Sequence, residues 1–138
     1  MTSYEAAGFV GHHTVRDGHT VPDPLILDER FLAARVRGRG VSVLSSCSHA
    51  GVVNAALGAL GAFGDEPLDV LLGGYLAGEG MEPRIEPTVH DLANRVRPRV
   101  VAPGHCTGWR AKAALAHTFA PGNYGPSVVG SLYALRAT

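Results

Sequence analysis

No stretch of this 138-residue chain approaches the roughly 20 consecutive apolar residues that a membrane-spanning helix needs. Nor is there an excess of charge of either sign: twelve Lys and Arg stand against twelve Asp and Glu. This gives no electrostatic case for a nucleic acid or an anionic membrane surface as partner. Lysine is almost missing, since eleven of the twelve basic residues are arginine. That bias fits a GC-rich bacterial genome and says nothing about mechanism. The opening residues MTSYEAAGFVGHH lack a basic region followed by a long apolar core. No secretory signal is therefore read, and a cytoplasmic location is expected. Cysteine is scarce as well. Cys47 and Cys106 are too few for a disulfide scaffold. Each lies within two residues of a histidine, which points to site chemistry in a reducing compartment. A Cys47–Cys106 disulfide is the alternative.

What is present is an apolar fraction of 46% and enough length to bury roughly two-thirds of the unfolded surface in one core. Residues 1–24 show little periodicity and carry Gly8, Gly11, Gly18, Pro22 and Pro24; they read as a loop-rich lead-in. From residue 25 onward the pattern is regular. Strands are expected near 25–37, 41–45, 68–72, 99–102 and 127–134, and helices near 50–62, 86–96 and 108–118. Val53, Ala56, Leu57 and Leu60 form one helical stripe, and Val89, Leu92, Ala93 and Val96 a second, stopped by Pro98. Thr107 is placed to cap the third helix. Strands alternating with helices predict an α/β layered domain over 25–138, with the helices mainly on one face of the sheet.

Two strand ends carry unusual chemistry. The run Val41-Ser42-Val43-Leu44 leads into Ser45-Ser46-Cys47-Ser48-His49, and Val100-Val101-Ala102 leads into Pro103-Gly104-His105-Cys106-Thr107. A third, Leu68–Leu72, leads into Gly73-Gly74-Tyr75. In open α/β sheets ligands gather outside the carboxyl ends of the strands. If the strands are parallel, His49 and His105 share a rim. Neutral imidazole binds zinc or iron, so two such residues begin a metal site.

Ser46-Cys47-Ser48-His49-Ala50-Gly51, then Gly73-Gly74-Tyr75, then His105-Cys106-Thr107-Gly108 resembles the metallo-β-lactamase fold. Within it, the resemblance is to dihydropterin-methyl-ribofuranosylaminobenzene phosphate synthase-like hydrolases, and it covers roughly residues 22–135. It implies half of an αββα sandwich with a mixed sheet, and a metal pair, usually zinc and sometimes manganese or iron, that activates water for hydrolysis. Carried over, His49 and His105 are metal ligands. Cys47, Cys106, Ser48, Tyr75 and Thr107 are site neighbours without assigned roles.

Two departures accompany the resemblance. The family's HxHxDH motif belongs to an amino-terminal half that this sequence lacks; His12, His13 and His19 have the wrong spacing for it. The family also places a histidine after the Gly-Gly-aromatic motif, where Leu76 follows Tyr75 here. A catalytic zinc wants three protein ligands and an open position. The expectation is therefore a hydrolase relative active only when complemented by another chain, with metal weakly held or absent in the chain alone. The alternatives are an inactive truncated domain holding at most one metal, or a thiol-based binding module.

A cut sandwich exposes a sheet face, so a homo-oligomer or a complementing amino-terminal half is expected as partner, with Leu27, Phe31 and Val43 in the contact. The remaining features read more plainly. Without the motif, His49 is a helix-start residue bonded to its neighbours. His12, His13, His19, His90 and His117 read as surface residues. No G-x-S-x-G elbow surrounds Ser45, Ser46 or Ser48, which argues against a serine hydrolase. Arg35, Arg37 and Arg39 read as a solvated edge that discourages strand pairing. Cys47 at a strand-to-helix turn is a candidate reactive thiol.

Overall fold

A computed structural model describes residues 1–5, 12–24, 26–64, 66–75, 80–119 and 121–138. The lead-in is not all loop. β1 (His13–Arg16) and β2 (His19–Pro22) form an antiparallel hairpin turned by Asp17 and Gly18, both at positive φ. This pair is separate from the main sheet. Thr14, Val15, Thr20 and Val21 supply the β-branched residues that stabilise it; the short length and the histidines obscured the pattern.

The main sheet has four strands in the order β3-β4-β5-β6: β3 (Phe31–Val36), β4 (Gly40–Ser45), β5 (Leu68–Gly73) and β6 (Val100–Pro103). β3 and β4 pair antiparallel, whereas β4–β5 and β5–β6 pair parallel. The sheet is thus mixed, as expected. The first strand begins at Phe31 rather than near 25, because Asp23 and Ile26 build a turn before it. The Asp23 carboxylate accepts the Leu27 amide, and Ile26 takes φ 50°.

α1 (Val52–Phe63) follows β4, α2 (Glu82–Asp91) follows β5, and α3 (Trp109–Phe119) follows β6. α2 runs into a wider π turn, Leu92–Val96, which Arg97 closes in the left-handed conformation, donating its amide to Leu92 O at 2.8 Å. On the sheet, Val43, Leu71 and Val101 are register partners and share one face. They are fully buried, in a single core with Val52, Val53 and Ala56 of α1, Val89, Leu92 and Val96 of α2 and its π turn, and Ala111 and Leu115 of α3. The helices therefore share one face. Each such Val or Leu withdraws a side chain from water, a gain of about 1.5–3 kcal/mol. Val43 consequently belongs to the core and not to any contact surface, unlike Leu27 and Phe31, which are 57% and 41% exposed.

The expected closing strand at 127–134 is absent. Tyr124 makes an isolated bridge to Val101, Ser127 donates to Pro103 O, and the segment ends with Thr138 donating to Arg37 O. This tail therefore passes from one edge of the sheet to the turn between β3 and β4 at the other. Val128, Val129 and Leu132 along it are 59%, 105% and 90% exposed, so their apolar pattern is not that of a buried strand.

Two carboxylates tie the ends of the fold. Glu5 is 1% exposed and accepts the amides of Val53 and Asn54, at 3.1 and 2.9 Å. It thus caps α1, whose preceding Gly51 carries no side chain able to do so. Gly51 sits at φ 103°, and a Cβ there would lie 2.2 Å from Glu5 Oε2. Only glycine fits between helix and cap. Asp69 on β5 is 1% exposed and receives Arg39 Nε at 3.0 Å and Arg99 Nε at 2.5 Å. Arg39 is therefore not part of a solvated edge. Arg35 is exposed, pairing with Glu66 at 3.5 Å.

Candidate metal centre

The parallel registers align Ser45 with Gly73 and Gly73 with Pro103. The loops after β4, β5 and β6 therefore rise from one rim, at the carboxyl ends of the strands. Cys47 leaves β4 and His105-Cys106 leave β6, with β5 between them. The Sγ atoms of Cys47 and Cys106 nevertheless lie 3.0 Å apart, and His105 Nε2 is 3.5 Å from Cys47 Sγ. The three donor atoms all fall within 4.8 Å of one another.

The reason the outer loops can meet is the Gly73-Gly74 pair ending the central strand. At Gly73 (φ 140°) a Cβ would lie 1.8 Å from Ser45 O. At Gly74 it would lie 2.8 Å from Cys106 Cβ and 3.0 Å from Cys47 Cα. Gly74 also donates its amide to Ser46 O at 2.9 Å, fixing the cysteine turn over the glycines.

His49 stands outside this trio, on the same rim. Its Nδ1 lies 2.9 Å from Glu29 Oε1, and the Glu29 carboxylate also accepts the backbone amides of His49 and Ala50, at 2.9 and 3.1 Å. Glu29 thus holds the turn that carries the ring and places a carboxylate beside it. Burial, then the hydrogen bond and charge of Cys47 and the charge of Glu29, push the Cys106 thiol up to about 11. Without a cation nearby Cys106 is a thiol at neutral pH, whereas a coordinating metal deprotonates such a group.

The other expected neighbours frame the rim. The Tyr75 phenol is buried at 2% exposure, donates to Leu71 O and accepts the Ala102 amide at 3.1 Å; burial raises its pKa further. Thr107 accepts the Tyr75 amide at 3.1 Å, so its hydroxyl joins two loops and does not cap α3. Ser48, at φ 55°, donates to Ser45 Oγ at 2.8 Å. Leu76, where the family histidine would follow the aromatic residue, lies outside the described residues. His13, His19, His90 and His117 are exposed, away from any three-donor cluster among the described residues. Glu29, in the Asp28-Glu29 lead-in that also resembles the family, is the participant to which the sequence assigns no role.

Comparison with known proteins bears on this rim directly. The structure superposes on Tm1679, a metal-dependent hydrolase of the β-lactamase superfamily, with TM-score 0.75 and 27% identity, over 89% of this chain and 46% of that one. The fold is that of the metallo-β-lactamase superfamily. The chain is also 26% identical over 117 residues to the 7,8-dihydropterin-6-methyl-4-(beta-D-ribofuranosyl)-aminobenzene-5'-phosphate synthase of Methanocaldococcus jannaschii, matching 85% of this chain and 39% of that protein. It therefore spans less than half the length of each of these two proteins. No family model matches it.

The donor set suits a metal. Two sulfurs and an imidazole are ligands that zinc favours, and three protein ligands leave the open fourth position of a catalytic-type site. The closed four-ligand site that would result from adding His49 to the trio is not what the geometry shows: among the described residues, the donor atoms that lie within 4.8 Å of one another are those of Cys47, His105 and Cys106.

Proposed function

We propose that this chain contributes the carboxyl-terminal part of a metal-dependent hydrolase site, with Cys47, His105 and Cys106 holding one divalent metal and His49 beside it. The observation that carries this reading is the convergence of three soft donors from two non-adjacent strands within 4.8 Å. The similarity to metal-dependent hydrolases supports the reaction class. Bound there, zinc supplies Lewis-acid chemistry that polarises a substrate oxygen and activates water.

The residues of the chain have distinct tasks. His105 is exposed and reaches the rim from solvent, while the two half-buried thiols close the site beneath it. Glu29 positions the turn that carries His49 by accepting the His49 and Ala50 amides, with its carboxylate 2.9 Å from the ring Nδ1. His49 is then the second imidazole of the rim, placed for proton transfer or for a further ligand position. A second polypeptide bearing an HxHxDH cluster would complete the site. The exposed Leu27, Phe31 and Leu32 of the β3 edge offer it apolar contact.

The test is metal content and turnover measured together. The purified, reduced chain is expected to take up about one zinc and to hydrolyse bis(p-nitrophenyl) phosphate only when mixed with an HxHxDH-bearing half. Absence of bound metal at stoichiometric zinc would overturn the reading.

A further inference from the structure

We propose that Cys47 and Cys106 form an intramolecular disulfide on oxidation, and that this disulfide and a bound metal exclude one another, so that thiol redox state sets the occupancy of the site. The metal half of this statement rests on the function proposed above; the disulfide half rests on geometry alone.

The two sulfurs are 3.0 Å apart, and a disulfide requires about 2.05 Å. Closing about 1 Å is within the reach of side-chain rotation, since both cysteines sit in loops beyond the strand ends. No side chain separates them, because the intervening strand ends in Gly73-Gly74. Both thiols are partly accessible, and His105 beside them is exposed. A small oxidant can therefore enter.

Hydrogen peroxide is the oxidant class that balances the reaction. Cys47 gives its proton to His105 Nε2, 3.5 Å away, and its sulfur attacks one peroxide oxygen. The O–O bond breaks, leaving a sulfenic acid on Cys47 and releasing water once the proton is returned. The Cys106 sulfur then attacks Cys47 sulfur, the S–O bond breaks, and a second water leaves with the Cys106 proton. Two thiols lose two electrons to one peroxide. The product retains one of the three metal donors, the His105 imidazole, because disulfide sulfur is no longer a thiolate ligand. Conversely, a metal on both thiolates draws electron density from the sulfurs and lowers their nucleophilicity toward the oxidant.

The experiment uses the full chain, reduced and then treated with hydrogen peroxide, with and without prior zinc. Cobalt(II) serves as the spectroscopic probe of thiolate ligation. Peroxide is expected to remove both titratable thiols within one chain, to abolish the cobalt–thiolate absorption, and to be reversed by dithiothreitol. Zinc loading is expected to slow the loss of thiols about tenfold. In a C106S variant with the circular dichroism of wild type, Cys47 is expected to accumulate as a sulfenic acid that dimedone traps. Thiols that persist, or a crosslink only between chains, would overturn the proposal. A disulfide that leaves the cobalt absorption unchanged would overturn the exclusion while the metal reading stands. A reduced chain that binds no cobalt would remove the metal reading and the exclusion together, whatever the disulfide does.

Discussion

Cys47 and Cys106 meet at 3.0 Å although their strands, β4 and β6, are not neighbours in the sheet. The strand between them is the shortest route for a clash, and it ends in two glycines. The rim is therefore a device of three loops, in which the middle one is stripped of side chains so that the outer two can touch.

Gly74→Ala tests this arrangement. Its Cβ would stand 2.8 Å from Cys106 Cβ and 2.9 Å from Ser46 O, so the cysteine turns must part. Zinc affinity is expected to fall about tenfold or more, since misplaced ligands forfeit coordination geometry. Isothermal titration on a variant with native circular dichroism reads this, and unaltered affinity would mean that Gly74 does not set the spacing.

The trio and the Glu29–His49 pair separate by mutation. C47S, C106S and H105A should each abolish the cobalt–thiolate absorption or reduce it strongly, whereas H49A should keep it with small change. Glu29→Gln should behave as H49A does in binding and still disturb the loop, because it weakens the acceptor of the His49 and Ala50 amides. Loss of cobalt binding in H49A would place His49 inside the first coordination sphere after all.

Much of this is legible in the sequence. The β4, β5 and β6 strands are short apolar runs, buried on both faces, and the helical stripes of α1 and α3 repeat at i, i+3, i+4, so local pattern and tertiary burial agree. The tail at 127–134 reads as a strand because it is rich in apolar residues, yet Val128, Val129 and Leu132 face solvent. Periodicity reports a face and cannot report what covers it. At the site, the motif points to the histidines, and the sulfurs carry the geometry. A motif shows which residues arrive at a rim; which of them touch depended on the Gly73-Gly74 gap. The partner of His49 is twenty residues away in sequence, beyond the reach of spacing arguments.

Glu5 makes stability pH-dependent. Burial raises its pKa above the ordinary carboxylate value, although the Val53 and Asn54 amides and the Thr2 and Thr88 hydroxyls oppose the shift. A carboxyl whose folded pKa exceeds its unfolded value stabilises the fold fully below the unfolded pKa, and that contribution is lost as pH rises through the folded one. Lowering pH from neutrality toward about pH 5 should therefore favour wild type relative to E5Q, which cannot titrate. Denaturant midpoints of both at the two pH values check the sign; a midpoint of wild type that falls relative to that of E5Q on acidification would refute it.

Asp69 is the buried junction of two arginines. Asp69→Asn keeps the volume but removes the charge that Arg39 and Arg99 share. Because both guanidinium groups retain access to water, at 26% and 53% exposure, the loss should be moderate, about 2 kcal/mol. Urea unfolding measures it. Zinc uptake should not change, since Asp69 sits near the start of β5 and the rim at its end.

Turnover is the sharpest test of what the rim can do alone. Three donors and one open position resemble a catalytic zinc site by count, but hydrolysis by the metallo-β-lactamase fold is expected to need the HxHxDH cluster to complete the metal pair. His12, His13 and His19 do not replace it: β1 and β2 carry His13 and His19 on a hairpin separate from the main sheet. The chain loaded with zinc or manganese should therefore hydrolyse neither a phosphodiester nor a β-lactam above the buffer rate. Mixing with an HxHxDH-bearing half should raise the phosphodiester rate, and H105A should cancel the gain. Metal-dependent hydrolysis by the chain by itself, lost in H105A and in C47S, would instead make the Cys47–His105–Cys106 centre sufficient.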